Sequence, residues 1–152
     1  MTLIYRVKTA TREEFQAHLK ECDRNFKPPL SSRVDLLNYS RKIFDESVSF
    51  EAWDDNLLVG MINAYFNDTG NRIGYITNVS ILKQYMGKGI ASRLLEMCSK
   101  HARRHNFIKL RLEVSRHNVP AKKLYALSGF KTIIESGDSL LMEHEMPGTR
   151  TD

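Results

Sequence analysis

The spacing of hydrophobic and polar positions divides the chain into segments with the periods of strands and helices. Residues 3–10 alternate as a strand does, and a helix is predicted after them because Thr11 and Glu14 have the spacing of a capping box. Two adjacent prolines predict a loop over residues 24–33, because proline cannot continue a helix. A second helix ending near Glu46 is predicted to bury one face. The members of that face are Leu36, Leu37, Ser40, Ile43 and Phe44.

The middle of the chain changes to a strand-like period. Residues 47–53, 57–66 and 72–81 have the pattern of three strands joined by short polar connections, which predicts an antiparallel meander. The period becomes helical over residues 88–105, where apolar positions recur on one face that we expect to be buried. These positions are Ala91, Leu94, Leu95, Cys98 and Ala102.

The remaining segments complete an alternating order of strands and helices. A strand is predicted over residues 107–114, then a short helix over 119–130 closed by Gly129, then two strands around a turn at Gly137. This order predicts an α/β (α+β) fold with a mixed central sheet of about seven strands, about four flanking helices and one parallel crossover. We expect a single domain over residues 3–147, followed by a loose tail over 148–152.

Composition narrows the class of protein. The chain has 152 residues, enough for one domain with a core, and no apolar run approaches the roughly 20 residues that cross a bilayer. The first ten residues lack the features of a signal peptide, so we expect a cytoplasmic protein with no membrane partner. Cys22 and Cys98 are far apart and form no metal-ligand spacing, so we expect no metal site and a buried free thiol at Cys98.

Charge favours anionic ligands. The formal net charge is +5, and the isoelectric point is about 9.3. This balance does not separate nucleic acid from a phosphorylated cofactor. The densest basic stretch, residues 100–109, lacks interleaved aromatic stacking residues and is interpreted as a solvated helix end, so no nucleic-acid partner is expected.

Two glycines, Gly87 and Gly89, stand directly before the longest helical pattern. The turn has three interpretations: a tight connection with no ligand, a dinucleotide site, or a cradle for a pyrophosphate. A dinucleotide site would place Glu113 on a ribose, but that fold needs successive parallel units, and here a meander precedes the turn. A pyrophosphate cradle would use the free N–H groups and dipole of the helix N-terminus, with Lys88 adding a charge.

Residues 85–130 resemble the GCN5-related N-acetyltransferase (GNAT) superfamily. The acetyl-CoA signature of that family, Gln/Arg-x-x-Gly-x-Gly/Ala, falls on Met86, Gly89 and Ala91, with Met86 departing from the usual Gln or Arg. A second signature, Asn-x-x-Ala-x-x-x-Tyr-x-x-x-Gly-Phe, also matches this chain. It falls on Asn118, Ala121, Tyr125, Gly129 and Phe130.

The resemblance implies the GNAT fold and transfer of an acetyl group from acetyl-CoA to a primary amine, by direct attack in a ternary complex without a metal. It also implies that Val79 and Ile81 hold the pantetheine arm through their backbone. Homodimers are common in that family, so the resemblance also implies a homodimer for this chain. The full set of implied cofactor-binding residues is Val79, Ile81, Met86, Gly87, Lys88, Gly89, Ile90, Ala91, Ser92 and Asn118.

The catalytic residues implied by the resemblance are Tyr125 as general acid and Glu113 as base. Some family members carry a glutamate as the base in the strand before the glycine turn, and that position is Tyr75 here. A water relay is an alternative for the base. Each of these residues also has a purely structural interpretation. Glu113 would pair with Arg111 or Arg116, Asn118 would cap a helix, and Tyr125 would be a packed aromatic residue.

The acceptor is open at this point. A small-molecule amine is favoured, and a protein N-terminus, as in the ribosomal-protein branch of the family, is the alternative. Two alternatives of other classes are a basic module that binds nucleic acid and a module that binds acyl-CoA without turnover.

Overall fold

The strands and helices follow the order that the periodicity predicts. The structure, a computed structural model, describes residues 2–26 and 29–146, so the predicted tail lies outside the described residues. The α-helices of the described part are α1 Arg12–Cys22, α2 Leu36–Glu46, α3 Ile90–Arg104 and α4 Val119–Leu127. The strands there are β1 Leu3–Val7, β2 Val48–Asp54, β3 Leu57–Asp68, β4 Ile73–Ile81, β5 Lys109–Ser115, β6 Lys131–Ser136 and β7 Ser139–Glu145.

The seven strands form one mixed sheet in the order β1-β2-β3-β4-β5-β7-β6. Strands β4 and β5 run parallel, with Ile73 opposite Lys109 and Ile76 opposite Leu112, whereas β5 and β7 are antiparallel. A parallel pair cannot be joined by a hairpin, and α3 provides the crossover between these two strands. The predicted mixed sheet and parallel crossover are confirmed.

The chain divides into two compact units. The first comprises Met1–Asn63 and Asn78–Leu94, and the second comprises Ala64–Thr77 and Leu95–Asp152. The expectation of a single domain stays a prediction.

The first two helices begin as their sequences predict. The Thr11 hydroxyl accepts the N–H of Glu14 at 3.1 Å, and the Glu14 carboxylate accepts the N–H of Thr11 at 2.9 Å, which confirms the capping box. The predicted face of α2 is wider than the observed one: Ser40 and Ile43 are buried, but Leu37 is 40% exposed. A short helix that packs along a narrow stripe leaves an apolar residue at the stripe's edge in solvent.

The segment predicted as a loop over residues 24–33 contains two short 3-10 helices, Asp23–Asn25 and Leu30–Ser32. Asp23 fixes the second of these, because its carboxylate accepts the N–H and the hydroxyl of Ser31, each at 2.7 Å. A side-chain contact across eight residues holds this connection, and hydrophobic periodicity carries no signal for such a contact.

Both cysteines are buried free thiols, which confirms the prediction for Cys98. Burial raises the pKa of the Cys22 thiol to about 12 and raises that of Cys98 further. On α3 Leu94, Leu95 and Ala102 are also buried, as predicted, whereas Ala91 of the predicted face is only partly buried.

A buried carboxylate ties the chain between β1 and α1 to β2. Glu51 is fully buried and accepts hydrogen bonds from the N–H and hydroxyl of Thr9, the N–H of Ala10 at 3.2 Å, the hydroxyl of Ser49 at 2.6 Å and the indole N–H of Trp53 at 3.1 Å. A buried charge is tolerated when hydrogen bonds replace its water. Glu51 therefore fixes the path of the chain into α1.

Replacing this carboxylate should be costly. We expect Glu51→Ala to lower the free energy of unfolding by about 3 kcal/mol, because several buried donors lose their charged acceptor. Urea unfolding followed by the fluorescence of Trp53 measures the change. The exposed Glu13 in the first turn of α1 is the control, and its alanine variant should lose at most about 1 kcal/mol. Equal losses in the two variants would contradict a special role for Glu51.

Candidate functional site

In the first unit the glycine turn connects the end of β4 to the start of α3. Gly87 has φ 75° and Gly89 has φ 79°, so both adopt the left-handed conformation that other residues reach only with strain. A Cβ atom at either position would meet nothing within 4 Å. The turn therefore needs glycine for its backbone shape, and the space above it is open to a ligand.

The N-terminus of α3 follows the turn directly. The N–H of Arg93 donates to the carbonyl of Gly89 at 3.1 Å, so the N–H groups of the preceding first turn have no intrahelical acceptor. Ile90 is buried and anchors the helix, whereas Lys88 and Ser92 are exposed and Ala91 is partly so. Outward N–H groups, a helix dipole and a nearby ammonium together favour an anion.

The end of β4 is held close to the same turn. Val79 and Ile81 are partly exposed and alternate with buried Ser80, and the N–H of Leu82 donates to the carbonyl of Val59 at 2.8 Å. A Cβ atom on Gly60 would lie 2.9 Å from the side chains of both Ile81 and Ile90. Gly60 therefore lets the strand end and the helix start pack on β3.

Gly60 is not among the site residues predicted from the sequence. The sequence does indicate a special role for this residue, because a glycine inside a strand pattern marks a close approach of neighbouring groups.

Met86 occupies the first position of the glycine signature and is 48% exposed. The preceding 3-10 helix, Lys83–Tyr85, is tied down instead by Tyr85, whose hydroxyl donates to the Asp54 carboxylate at 2.5 Å. The shape of the turn therefore does not depend on a polar side chain at position 86.

In the second unit Asn118 directly precedes α4 and Tyr125 lies on it. The Asn118 side chain accepts the N–H of Ala121 at 3.3 Å and caps the helix, as the structural alternative predicted. Tyr125 is 8% exposed and packs edge-on against Phe130, with ring centroids 6.1 Å apart. Burial raises the pKa of Tyr125 to about 12, so the hydroxyl stays protonated at neutral pH.

The glycine that closes α4 has a packing reason. Gly129 has φ 103°, and a Cβ atom there would lie 2.6 Å from the ring of His144 on β7. The Gly-Phe pair of the second signature therefore keeps the end of α4 close to β7.

Glu113 lies on β5 and is exposed, and its carboxylate accepts the hydroxyl of Ser139 at 3.4 Å. The two arginines considered as its partners pair elsewhere, Arg111 with Glu143 at 2.9 Å and Arg116 with Glu135 at 3.5 Å. The charge of Glu113 therefore faces the solvent side of the strand.

Tyr75 on β4 lies near this carboxylate. Burial, and then the negative charge of Glu113, raise the pKa of Tyr75. The parallel register places Tyr75 opposite Arg111, two residues before Glu113. Tyr75 and Glu113 thus form a small phenol and carboxylate group in the second unit.

The site residues predicted from the sequence fall into two groups. Val79, Ile81 and residues 86–92 lie together in the first unit, and Glu113, Asn118 and Tyr125 lie in the second. Among residues 2–26 and 29–146, no group of three or more His, Cys, Asp or Glu side chains is placed to hold a metal ion. In the same residues no helix is long and apolar enough to cross a membrane.

Comparison with known proteins gives consistent results. Residues 12–130 match the model of the family described as Acetyltransferase (GNAT) family. A streptothricin acetyltransferase of Escherichia coli is 34% identical over 126 residues, which cover 78% of this chain and 68% of that protein.

Two solved structures have a similar fold. The PaiA N-acetyltransferase of Thermoplasma acidophilum, in complex with coenzyme A, has a TM-score of 0.77 and 18% identity over 95% of this chain and 99% of its own. The ribosomal-protein-S18-alanine N-acetyltransferase of Escherichia coli has a TM-score of 0.78 and 14% identity over 99% and 98%.

The glycine turn predicts a specific stability pattern. We expect Gly87→Ala and Gly89→Ala each to lower the free energy of unfolding by about 1 kcal/mol, because alanine is strained at positive φ although the space is open. Gly70 also has open space but no positive φ, so Gly70→Ala should be neutral or slightly stabilising. Urea unfolding of the three variants measures this, and an equal loss at Gly70 would contradict the strain argument.

Proposed function

Because this chain belongs to the acetyltransferase (GNAT) family, we propose that it moves the acetyl group of acetyl-CoA to a primary amine of a small molecule. The observation that carries the donor half is the open glycine turn at the N-terminus of α3. The small-molecule acceptor is supported by the relative of 34% identity, which is a streptothricin acetyltransferase.

The donor would be held mainly by backbone groups of the first unit. Gly87 and Gly89 carry no side chain, so the pyrophosphate of acetyl-CoA can approach the N–H groups of residues 88–92. Lys88 adds a positive charge, and Met86 contributes only its backbone. Val79 and Ile81 would hold the pantetheine arm through their N–H and C=O groups.

The chemistry requires two proton transfers. The amine nitrogen attacks the thioester carbon, a C–N bond forms, and the C–S bond breaks as the thiolate leaves. Tyr125 would give its proton to that thiolate, a role that a buried and fully protonated phenol can fill. Glu113, or a water that it binds, would take the proton of the amine, and its exposed carboxylate is accessible for that role. Asn118 would act indirectly, by capping the helix that carries Tyr125.

Ligand-dependent thermal unfolding tests the donor half. Acetyl-CoA and CoA should raise the melting temperature, because each would bind only the folded chain. Gly87→Ala and Gly89→Ala should reduce that rise. Gly137→Ala is the matched control, since Gly137 has φ 59° and open space but lies in the turn between β6 and β7. A response to an oligonucleotide that disappears with salt, with none to CoA, would instead support a nucleic-acid-binding module.

The acceptor half is tested by mass spectrometry of the products. Incubation with acetyl-CoA should add one acetyl group to the amine of streptothricin, and should leave a peptide with an N-terminal alanine unmodified. Acetylation of the peptide alone would support the ribosomal-protein type of acceptor. Binding of acetyl-CoA without any product would support a binding module that does not turn over.

Tyr125→Phe should lower kcat by about 100-fold and change the KM for acetyl-CoA little, because a general acid acts as charge develops on sulfur. Steady-state kinetics over both substrates measures the split. The phenylalanine ring keeps the edge-on contact with Phe130, so the melting temperature should stay close to that of the wild type. An unchanged kcat would remove Tyr125 from the mechanism.

Glu113→Gln should lower kcat/KM by about 100-fold near neutral pH and change its dependence on pH, because the amide cannot accept the proton of the amine. The pH profile of kcat/KM is the measurement. Glu135→Gln is the control, since Glu135 is a solvent-exposed carboxylate of the same unit, on β6. A variant with an unaltered profile would assign the base to water.

A further inference from the structure

A continuous chain of buried polar side chains connects α1, β4, β3 and the end of α2 in the first unit. We call it the buried polar chain. Each member is at most 5% exposed. Its members are His18, Ser80, Asn78, Asn63 and Ser47.

The hydrogen bonds of the chain run outwards in two directions from the side-chain amide of Asn78. The hydroxyl of Ser47 donates to the carbonyl of Ile43, so its oxygen accepts the amide of Asn63 at 3.2 Å. The oxygen of Asn63 accepts the amide of Asn78 at 3.0 Å, and the same amide nitrogen is 3.0 Å from the Ser80 hydroxyl. Each acceptor along this part of the chain therefore has a donor facing it.

His18 carries the chain into α1, where Sγ of Cys22 also lies 3.6 Å from the imidazole Nε2. Its Nδ1 is 2.9 Å from the carbonyl of Leu58, which can only accept, so Nδ1 carries the proton. The other nitrogen, Nε2, then accepts the hydroxyl of Ser80 at 2.9 Å. Burial lowers the pKa of His18, which agrees with a neutral ring.

Burying these polar side chains costs desolvation free energy that apolar residues at the same inward positions would not incur. Its directional bonds specify one arrangement of the strands they join. Asn78 and Ser80 both lie in the last four residues of β4, so two of the five members act on that short stretch. The arrangement that is specified is therefore that of the strand end.

We propose that Ser80 and His18 are positioning residues that hold the end of β4 so that the backbone of Val79 and Ile81 faces the acyl-CoA arm. Ser80 stands between those two residues, and its side chain is bonded from both sides by Asn78 and His18. Two residues after Ser80, the backbone N–H of Leu82 donates a hydrogen bond to the carbonyl of Val59. This inference rests on the proposed function of β4 in acetyl-CoA binding.

The test compares two buried serines of the same unit. Ser80→Ala removes a hydroxyl from the buried polar chain, and Ser49→Ala removes one that donates to Glu51 at 2.6 Å. Each side chain is almost fully buried, so each variant should lose stability. Calorimetric titration with CoA and with acetyl-CoA gives Kd, and kinetics with streptothricin gives KM and kcat.

We expect Ser80→Ala to raise both Kd values and the KM for acetyl-CoA by about fivefold or more, with kcat within about twofold. Ser49→Ala should leave Kd and KM unchanged, and Ser80→Thr, which keeps the hydroxyl, should restore part of the affinity. His18→Gln should act in the same direction as Ser80→Ala, and it serves as the test if Ser80→Ala does not fold.

Two results would overturn the positioning role. One is unchanged affinity in both Ser80→Ala and His18→Gln, which would leave the chain as a stabilising network only. The other is an equal loss of affinity in Ser49→Ala, which would reflect general loosening. A wild-type chain that binds neither CoA nor acetyl-CoA would overturn the proposed function itself, and the positioning role with it.

Discussion

The parallel pairing of β4 with β5 is the constraint on which the site depends. Parallel neighbours need a crossover, and α3 is that crossover, so a helix must begin where β4 ends. The connection between them contains only the short 3-10 helix and the glycine turn. A helix N-terminus with free N–H groups is thus brought to the end of the strand by topology, and Gly87 and Gly89 leave it uncovered.

Buried polar groups help to shape the first unit alongside its apolar core. Glu51 fixes the chain before α1, and His18 joins α1 to β3 and β4. Neither group increases the buried apolar area, and each costs desolvation that its hydrogen bonds must offset. Such groups instead hold the backbone in a single arrangement. The proposed acyl-CoA site would depend on this, because it would use backbone atoms of Val79 and Ile81.

Most of the fold could be predicted from the sequence, because strand and helix periods are local properties. The meander and the helix over residues 90–104 follow from the spacing of apolar residues, whereas the exposure of Leu37 depends on what α2 packs against. The glycines of the turn carried a signal because backbone geometry demands them. The partner of Arg111 carried none, since Glu143 is 32 residues away and is aligned only by the β5 and β7 register.

The burial of both cysteines has a practical consequence for following the reaction. With the pKa of Cys22 near 12 and that of Cys98 also raised, only about one thiol in ten thousand at Cys22 is ionised at pH 8, and fewer at Cys98. Disulfide reagents react with thiolates at accessible sulfur atoms, so the folded chain should be almost inert to them. A chromogenic disulfide would then report each coenzyme sulfhydryl set free by turnover, continuously and with little background from the protein.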